Sequence, residues 1–472
     1  MRKKLFINGE WVEAQEYRDL KSPYSEEKIA EIPYANEDEI HSAVAAAHEA
    51  RETMAKMPAH ERAEILENLV ALLKENKEEC AKTISLESAK PLKTAKGEVE
   101  RTIMTYKFAA EEARRLYGES IPMDAAPGGE GRIAYTIRQP VGVVAAITPF
   151  NFPMNLVAHK VGPAIASGNT VVLKPASQTP LSAYFIGELF EKAGLPKGAL
   201  NVITGSGSKV GDQIVTDERV KKITFTGSPE VGIGIRNKSG LKKVTLELGS
   251  NSAVIVDKDA DIDGMIDRVV TGSFANAGQV CISVQRTYVH EEIFDEFAKK
   301  FVEKTKGLVL GDPLDEKTDV SSLIAPGELD RVLEWIEDAI QNGAELATGG
   351  KKEGNMLQPT VLLHAGEDTK VICEEIFGPV VVLNKVSSID EAVEKTNNSD
   401  YGLQAGIFTR DISKALEAAE RIEVGGVMIN DIPTFRVDHM PYGGVKKSGT
   451  GREGIKYAIE EMTELKLISI KK

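Results

Sequence analysis

From residue 141 to residue 256 the chain repeats one pattern: a short apolar run, a turn, then an amphipathic stretch long enough for a helix. The apolar runs are Val141–Ile147, Thr170–Leu173, Leu200–Ile203, Lys222–Phe225 and Val244–Leu248. Between them lie amphipathic stretches at about 154–167, 180–194, 208–216 and 229–239. Strands alternating with helices at this spacing predict βαβ units and a parallel sheet. A second alternation runs from about 261 to 430, with strands expected at Thr287–Val289, Val380–Val386, Ala405–Phe408 and Gly426–Ile429. Its helices are expected at Asp390–Thr396 and Ile412–Arg421. Residues 40–117 read as helical, with Ile65, Leu69, Leu72 and Leu73 at helical spacing. At 472 residues the chain exceeds one ordinary core, so an α/β fold of two or three domains is expected. Gly118–Gln139 and the tail Glu464–Lys472 fit neither block and read as extended segments. Exposed strand edges are usually paired or covered, so these two are expected to form a small β oligomerisation arm; a surface hairpin and a frayed tail are the alternative.

The charge balance narrows the partners. Acidic residues number 72 against 58 basic ones, a net charge of −14, and no basic stripe suited to nucleic acid is present. The run Val141–Ile147 is far short of the roughly 20 apolar residues that span a bilayer. The basic start of the chain has no apolar segment behind it, so no secretory signal is expected. Three cysteines, Cys80, Cys281 and Cys373, make no disulfide framework and fit a reducing cytoplasm.

The chemistry is concentrated in two short runs. Cys281 ends Gly272-Ser-Phe-Ala-Asn-Ala-Gly278-Gln-Val-Cys281, among small residues that leave a reactant room to approach the sulfur. Glu247 sits in Thr245-Leu-Glu247-Leu-Gly249, a carboxylate flanked by leucines whose pKa burial can raise toward neutrality. A thiol nucleophile and a separate base are thereby suggested, although a lone cysteine read without further context is more often an inert core residue. Both runs strongly resemble the active-site signatures of the NAD(P)-dependent aldehyde dehydrogenase superfamily, and the likeness extends from Phe6-Ile-Asn-Gly-Glu-Trp11 to the last strand. Within that superfamily the chain looks most similar to lactaldehyde, sulfolactaldehyde and succinate-semialdehyde dehydrogenases.

The resemblance implies an aldehyde dehydrogenase-like fold with a Rossmann-type cofactor domain over 1–117 and 140–250. It places a catalytic domain at 251–450 and the arm at 118–139 and 451–472. It implies that Cys281 adds to an aldehyde, that Asn151 holds the resulting oxyanion, and that Glu247 activates water to hydrolyse the thioester. For NAD or NADP, the Thr226-Gly227-Ser228-Pro229 run starts a helix whose free N–H groups can hold a pyrophosphate. The looser Gly205-Ser-Gly207-Ser-Lys-Val-Gly211 loop, equally a plain turn, is one residue too long for the usual fingerprint. Lys174 resembles the lysine that binds the adenosine ribose. Ser177 stands where NAD-preferring members often carry glutamate, which permits NADP. Glu375 and Phe377 match residues beside the nicotinamide. Ile147, Thr148, Pro149, Phe150, Ala176, Gly207, Gly211, Phe225, Gly227, Ser228, Val231 and Leu248 complete the expected cofactor site, and no metal is expected.

Arg101, His159, Arg286 and Arg436 are the candidate substrate residues, each also readable as an ordinary ion-pair member. Together they favour a short polar or anionic aldehyde, recognised by forked hydrogen bonds. Lactaldehyde and sulfolactaldehyde lead; succinate semialdehyde, phosphonoacetaldehyde and glyceraldehyde 3-phosphate are alternatives. A homodimer or homotetramer is expected. Three other readings stay open on the residues alone: a coenzyme A-acylating enzyme, which would lack the water-activating Glu247, a cysteine hydrolase, and a non-catalytic protein on the same fold.

Overall fold

Runs such as Val143–Ile147 and Thr170–Lys174 are buried at every residue, as strands covered by helices on both faces must be. The structure, a computed structural model describing all 472 residues, builds them into an eight-stranded sheet. Its order is Glu10–Val12, Leu5–Ile7, Leu200–Val202, Thr170–Lys174, Val143–Ile147, Val220–Thr226, Lys243–Glu247 and Gly449–Thr450. The five central strands are parallel. From Val143–Ile147 the chain first adds strands on one side, then crosses to add Val220–Thr226 on the other. The two neighbouring strands diverge in connection there, and ligands of open α/β sheets bind in the crevice outside such a switch point. Separate apolar cores cover the two faces of this sheet.

The second sheet runs Glu345–Thr348, Thr360–Leu363, Val380–Val386, Arg286–His290, Ala253–Val256, Gln404–Phe408 and Gly426–Ile429. All its pairings are parallel except the first. The helical N-terminal region resolves into Glu37–Lys56, Ala59–Glu75, Lys77–Ser88 and Leu92–Ala113. Thr463–Lys471 pairs antiparallel with Arg132–Pro140 along its whole length, with Ser120–Ile121 beyond it. Leu465, Leu467, Ile470, Ile133 and Tyr135 stay exposed on that ribbon.

Two expectations shift. The stretch 451–462 does not belong to the arm: Gly449–Thr450 closes the first sheet against Leu246 and Glu247, and the helix Ile455–Glu461 packs on Leu92–Ala113 and Asn155–Ala166. Its Ile455, Ile459 and the following Met462 are apolar and join the first core, which an extended arm could not bury. The segment read as a helix over 208–216 divides into a wide turn at Gly207–Gly211 and a short helix at Asp212–Thr216.

Candidate active site

A cavity of about 610 Å³ opens at the switch point and reaches the loop that carries Cys281. Ile147, Thr148, Pro149 and Phe150 leave the strand Val143–Ile147 into its wall; Phe225, Gly227, Ser228 and Val231 do so after Val220–Thr226. Lys174, Ala176, Gly207, Gly211, Leu248, Glu375 and Phe377 also line it. Ser177 does not. Its hydroxyl donates to the Gly205 carbonyl at 2.9 Å, closing a turn, and Gln178 and Asp212 face the cavity instead.

These walls fit a dinucleotide. Ser228 caps the helix Pro229–Lys238 by accepting from Val231 N, so the remaining N–H groups of the first turn point outward. A Cβ at Gly227 would lie 2.5 Å from the Phe225 ring, and one at Gly232 would lie 2.4 Å from Leu248, so backbone alone forms this floor. The buried hydroxyls of Thr148 and Thr226 have no partner in the chain. Burial pushes the Lys174 ammonium down to about 8 and the Glu375 carboxyl up to about 7, the latter eased by accepting from Ser250 N at 2.9 Å. Phe377, at φ 46, is held edge-on to Phe150 with ring centres 5.8 Å apart. Glu328 and Arg331, which the sequence did not single out, close the same side.

At the other end, the helix Ile262–Phe274 breaks into three successive left-handed residues: Asn276 at φ 52, Ala277 at φ 55 and Gly278 at φ 71. Such a conformation costs an ordinary residue roughly 1–2 kcal/mol. Glycine is required at 278, where a Cβ would meet the Gly378 carbonyl at 2.0 Å. The Asn276 amide bonds the carbonyls of Asn151 (3.4 Å) and Gln279 (3.3 Å), while Gln279 Oε1 accepts from Ile324 N at 3.0 Å. This fixed turn presents Cys281, half-buried, on the cavity wall. Burial drives its thiol up to about 11, against a hydrogen bond from Tyr442 that lowers it.

Asn151 and Glu247 share the cavity with Cys281. Asn151 Nδ2 donates to the Gln279 carbonyl at 3.0 Å. Its own carbonyl is gripped by the buried Lys90 ammonium at 2.7 Å. Lys90 pairs with Glu98, whose other oxygen accepts from Met154 N (2.9 Å) and Asn155 N (3.2 Å). A wholly buried ion pair thus anchors the loop behind Asn151. Glu247 ends the strand Lys243–Glu247 with both carboxylate oxygens buried and unpartnered. Burial, reinforced by Glu453, holds it well above the usual carboxylate range.

Of the four expected substrate residues, two reach the cavity. Arg101 stands nearer solvent, its side chain 30% exposed, and Arg436 lies deep at 6%. Asp438 takes Arg101 at 2.7 Å and Glu453 takes Arg436 at 2.9 Å. Arg436 Nε is buried without a partner. His159 lies behind them: buried, with Nε2 at 2.8 Å from Asp438 and 3.2 Å from an Arg436 Nη, it touches Arg436 and the partner of Arg101 rather than the cavity. Arg286 is also misplaced by the sequence reading. It opens an interior strand and donates to Asn251 O (2.7 Å), Lys395 O (3.2 Å) and Thr396 O (3.3 Å). It therefore caps the C-terminal turn of the helix Ile389–Asn397, away from the cavity. No three His, Cys, Asp or Glu side chains gather as metal ligands would, and no helix is long and apolar enough to cross a membrane.

The pattern of the aldehyde dehydrogenase family matches residues 11–468. A 3-sulfolactaldehyde dehydrogenase of Priestia aryabhattai is 50% identical over 464 residues, 98% of this chain and 97% of its own. A lactaldehyde dehydrogenase of Methanococcus aeolicus is 46% identical over 99% of each chain. The solved glyceraldehyde-3-phosphate dehydrogenase of Methanocaldococcus jannaschii, complexed with NADP, superposes with a TM-score of 0.94 at 44% identity, covering 97% of this chain and 100% of its own. Matched over nearly its whole length, this chain belongs to the aldehyde dehydrogenase family and is an NAD(P)-dependent enzyme of aldehyde oxidation.

Proposed function

We propose that the enzyme oxidises a short polar or anionic aldehyde, of which lactaldehyde is the neutral and sulfolactaldehyde the anionic example, to its acid. Arg436 carries this reading: a deep guanidinium on the cavity wall with an unpartnered Nε, and Arg101 nearer the mouth. An anionic group on the substrate satisfies that donor, whereas a plain alkyl chain leaves it unpaired at a cost of about 1–3 kcal/mol. The names of the relatives from Priestia and Methanococcus support the same class.

The Cys281 thiolate adds to the carbonyl carbon and forms a thiohemiacetal. The oxyanion is received by the second N–H of the Asn151 amide and the Cys281 backbone N–H, a donor being worth about 3–4 kcal/mol of barrier. Lys90 and Glu98 hold the backbone of the loop that carries Asn151 from behind, and the Gln279 carbonyl fixes its side-chain amide. A bound NAD(P) supplies the acceptor for the aldehyde hydrogen; the helix start at Ser228, together with Lys174 and Glu375, holds it. The thioester left on Cys281 is then cleaved by water. Glu247, on the cavity wall with both carboxylate oxygens free of partners, takes a proton from that water. The apolar edges of the arm support association of copies as a homodimer or homotetramer, and three unpaired cysteines suit the cytoplasm.

The test is a panel of sulfolactaldehyde, lactaldehyde, succinate semialdehyde, glyceraldehyde 3-phosphate and propionaldehyde, each with NAD and NADP. Sulfolactaldehyde should exceed propionaldehyde in kcat/KM by at least about tenfold, and Arg436→Met should erase the difference. Equal use of propionaldehyde by the parent enzyme refutes the assignment.

A further inference from the structure

We infer that Tyr442 is a further catalytic residue: it donates its phenolic O–H to the ionised sulfur of Cys281. The inference rests on Cys281 being the nucleophile. Tyr442 Oη lies 2.9 Å from Cys281 Sγ, inside the range for a strong hydrogen bond to sulfur. The ring is buried in a small apolar cluster with Val280, Ile282 and Leu403, so its position is set by packing on the cysteine loop itself.

One face of the ring carries a cation. The Arg436 guanidinium lies 3.6 Å from the ring centre, held there by Glu453 at 2.9 Å, which Lys160 in turn holds at 3.0 Å. A cation on a phenol's π face draws electron density from the ring and makes the O–H a better donor. Buried charge is thus transmitted through one aromatic ring to the reactive sulfur, without a charged group touching it.

Four groups bear on Cys281. Tyr442 and Arg436 favour its ionised form, while Glu375 and Glu247 oppose it together with burial. Burial, the sulfur and Glu247 all hold the Tyr442 proton on its oxygen, far above the usual phenol range. The sulfur therefore ionises first, its proton leaving through the cavity, and the phenol acts as donor throughout; no bond to Tyr442 forms or breaks.

Iodoacetamide alkylation of Cys281 reads the thiolate directly, with neither aldehyde nor nicotinamide present. It therefore tests Tyr442 separately from the turnover assignment, which Cys281→Ser tests. In a Cys373→Ser background, whose other cysteine is buried, the alkylation rate is followed by peptide mass spectrometry between about pH 7 and pH 10, where it grows with the thiolate fraction and its offset between variants reads the shift in midpoint. Tyr442→Phe keeps the ring beneath Arg436 and removes the donor. Its alkylation midpoint should rise by about one unit, with a roughly tenfold slower reaction near pH 8. Site-specific 3-fluorotyrosine at 442, a stronger donor, should move the midpoint down. An unchanged midpoint and rate in Tyr442→Phe overturns the proposal, as does a fluorotyrosine midpoint no lower than the parent's. If Tyr442→Phe does not fold, judged by circular dichroism, the fluorotyrosine result decides.

Discussion

Replacing Lys90 with methionine separates the anchoring of Asn151 from its chemistry. The substitution preserves most of the side-chain volume and removes three interactions at once: the ion pair with Glu98, the 2.7 Å bond to the Asn151 carbonyl, and the cation 3.7 Å above the Phe152 ring. Glu98 is left as a fully buried carboxylate with only two backbone donors, Met154 N and Asn155 N. Removing one member of such a pair costs about 3–5 kcal/mol, because the remaining charge has nowhere to go. Unfolding entropy of about 2.1 cal/mol/K per residue makes the whole chain's near 1 kcal/mol per kelvin, so Tm should fall by roughly 4 °C. Loss of the grip on the Asn151 carbonyl should lower kcat by about tenfold to a hundredfold. Adding Glu98→Gln retains an acceptor for both backbone N–H groups and removes the stranded charge. The double variant should therefore cost only about 1–2 kcal/mol and recover most of the Tm. Differential scanning fluorimetry and steady-state kinetics on the parent, both singles and the double complete the cycle. A Lys90→Met variant with the parent's Tm, or a double variant at the sum of its singles, would show that the pair is not coupled and that the argument is wrong.

Two shorter tests follow from the charges at the cofactor end and in the second sheet. Glu375 is pushed up to about 7, and on the proposed assignment the ribose hydroxyls of a nucleotide would donate to its ionised form. Nucleotide binding should therefore weaken as pH falls below about 7, approaching tenfold per unit, and Glu375→Gln should flatten the slope in calorimetric titrations. Arg286→Ala should lower Tm through roughly 2–3 kcal/mol of lost bonds to the Asn251, Lys395 and Thr396 carbonyls. It should change KM for anionic and neutral aldehydes alike; a selective rise for the anions would restore Arg286 to the substrate site.

Much of the architecture is legible in the chain because parallel strands buried on both faces must be nearly continuous apolar runs. Val380–Val386 and Gly426–Ile429 fall where the alternation places them. The strands Leu5–Ile7, Glu10–Val12 and Ala253–Val256 carry too short a signal; they exist because a sheet edge or a central gap receives them. The cysteine loop is legible as well, since the small residues that surround Cys281 stand next to it in the chain, although the carbonyl that requires glycine at 278 comes from Gly378. Arg286 and His159 show the limit. Proximity to Cys281 or Asn151 in sequence says nothing about which face of a strand or helix a side chain leaves from, and both leave toward other partners. Tyr442 and the grip of Lys90 on Asn151 were hidden for the converse reason: 161 residues separate Tyr442 from the sulfur it touches, and 61 separate Lys90 from the carbonyl it holds.

Local order in the chain thus determined the two α/β layers, the thiol in its turn of small residues, and the helix start that can hold a pyrophosphate. Each depends on neighbours a few residues away, through burial periodicity, capping and left-handed backbone. Tertiary structure alone decided which arginines see the cavity, which carboxylates are left without a partner, and what stands behind Asn151 and Cys281. Those outcomes depend on charges and rings brought together from distant segments, where a buried group's energy is set by its nearest atoms rather than by its neighbours in sequence.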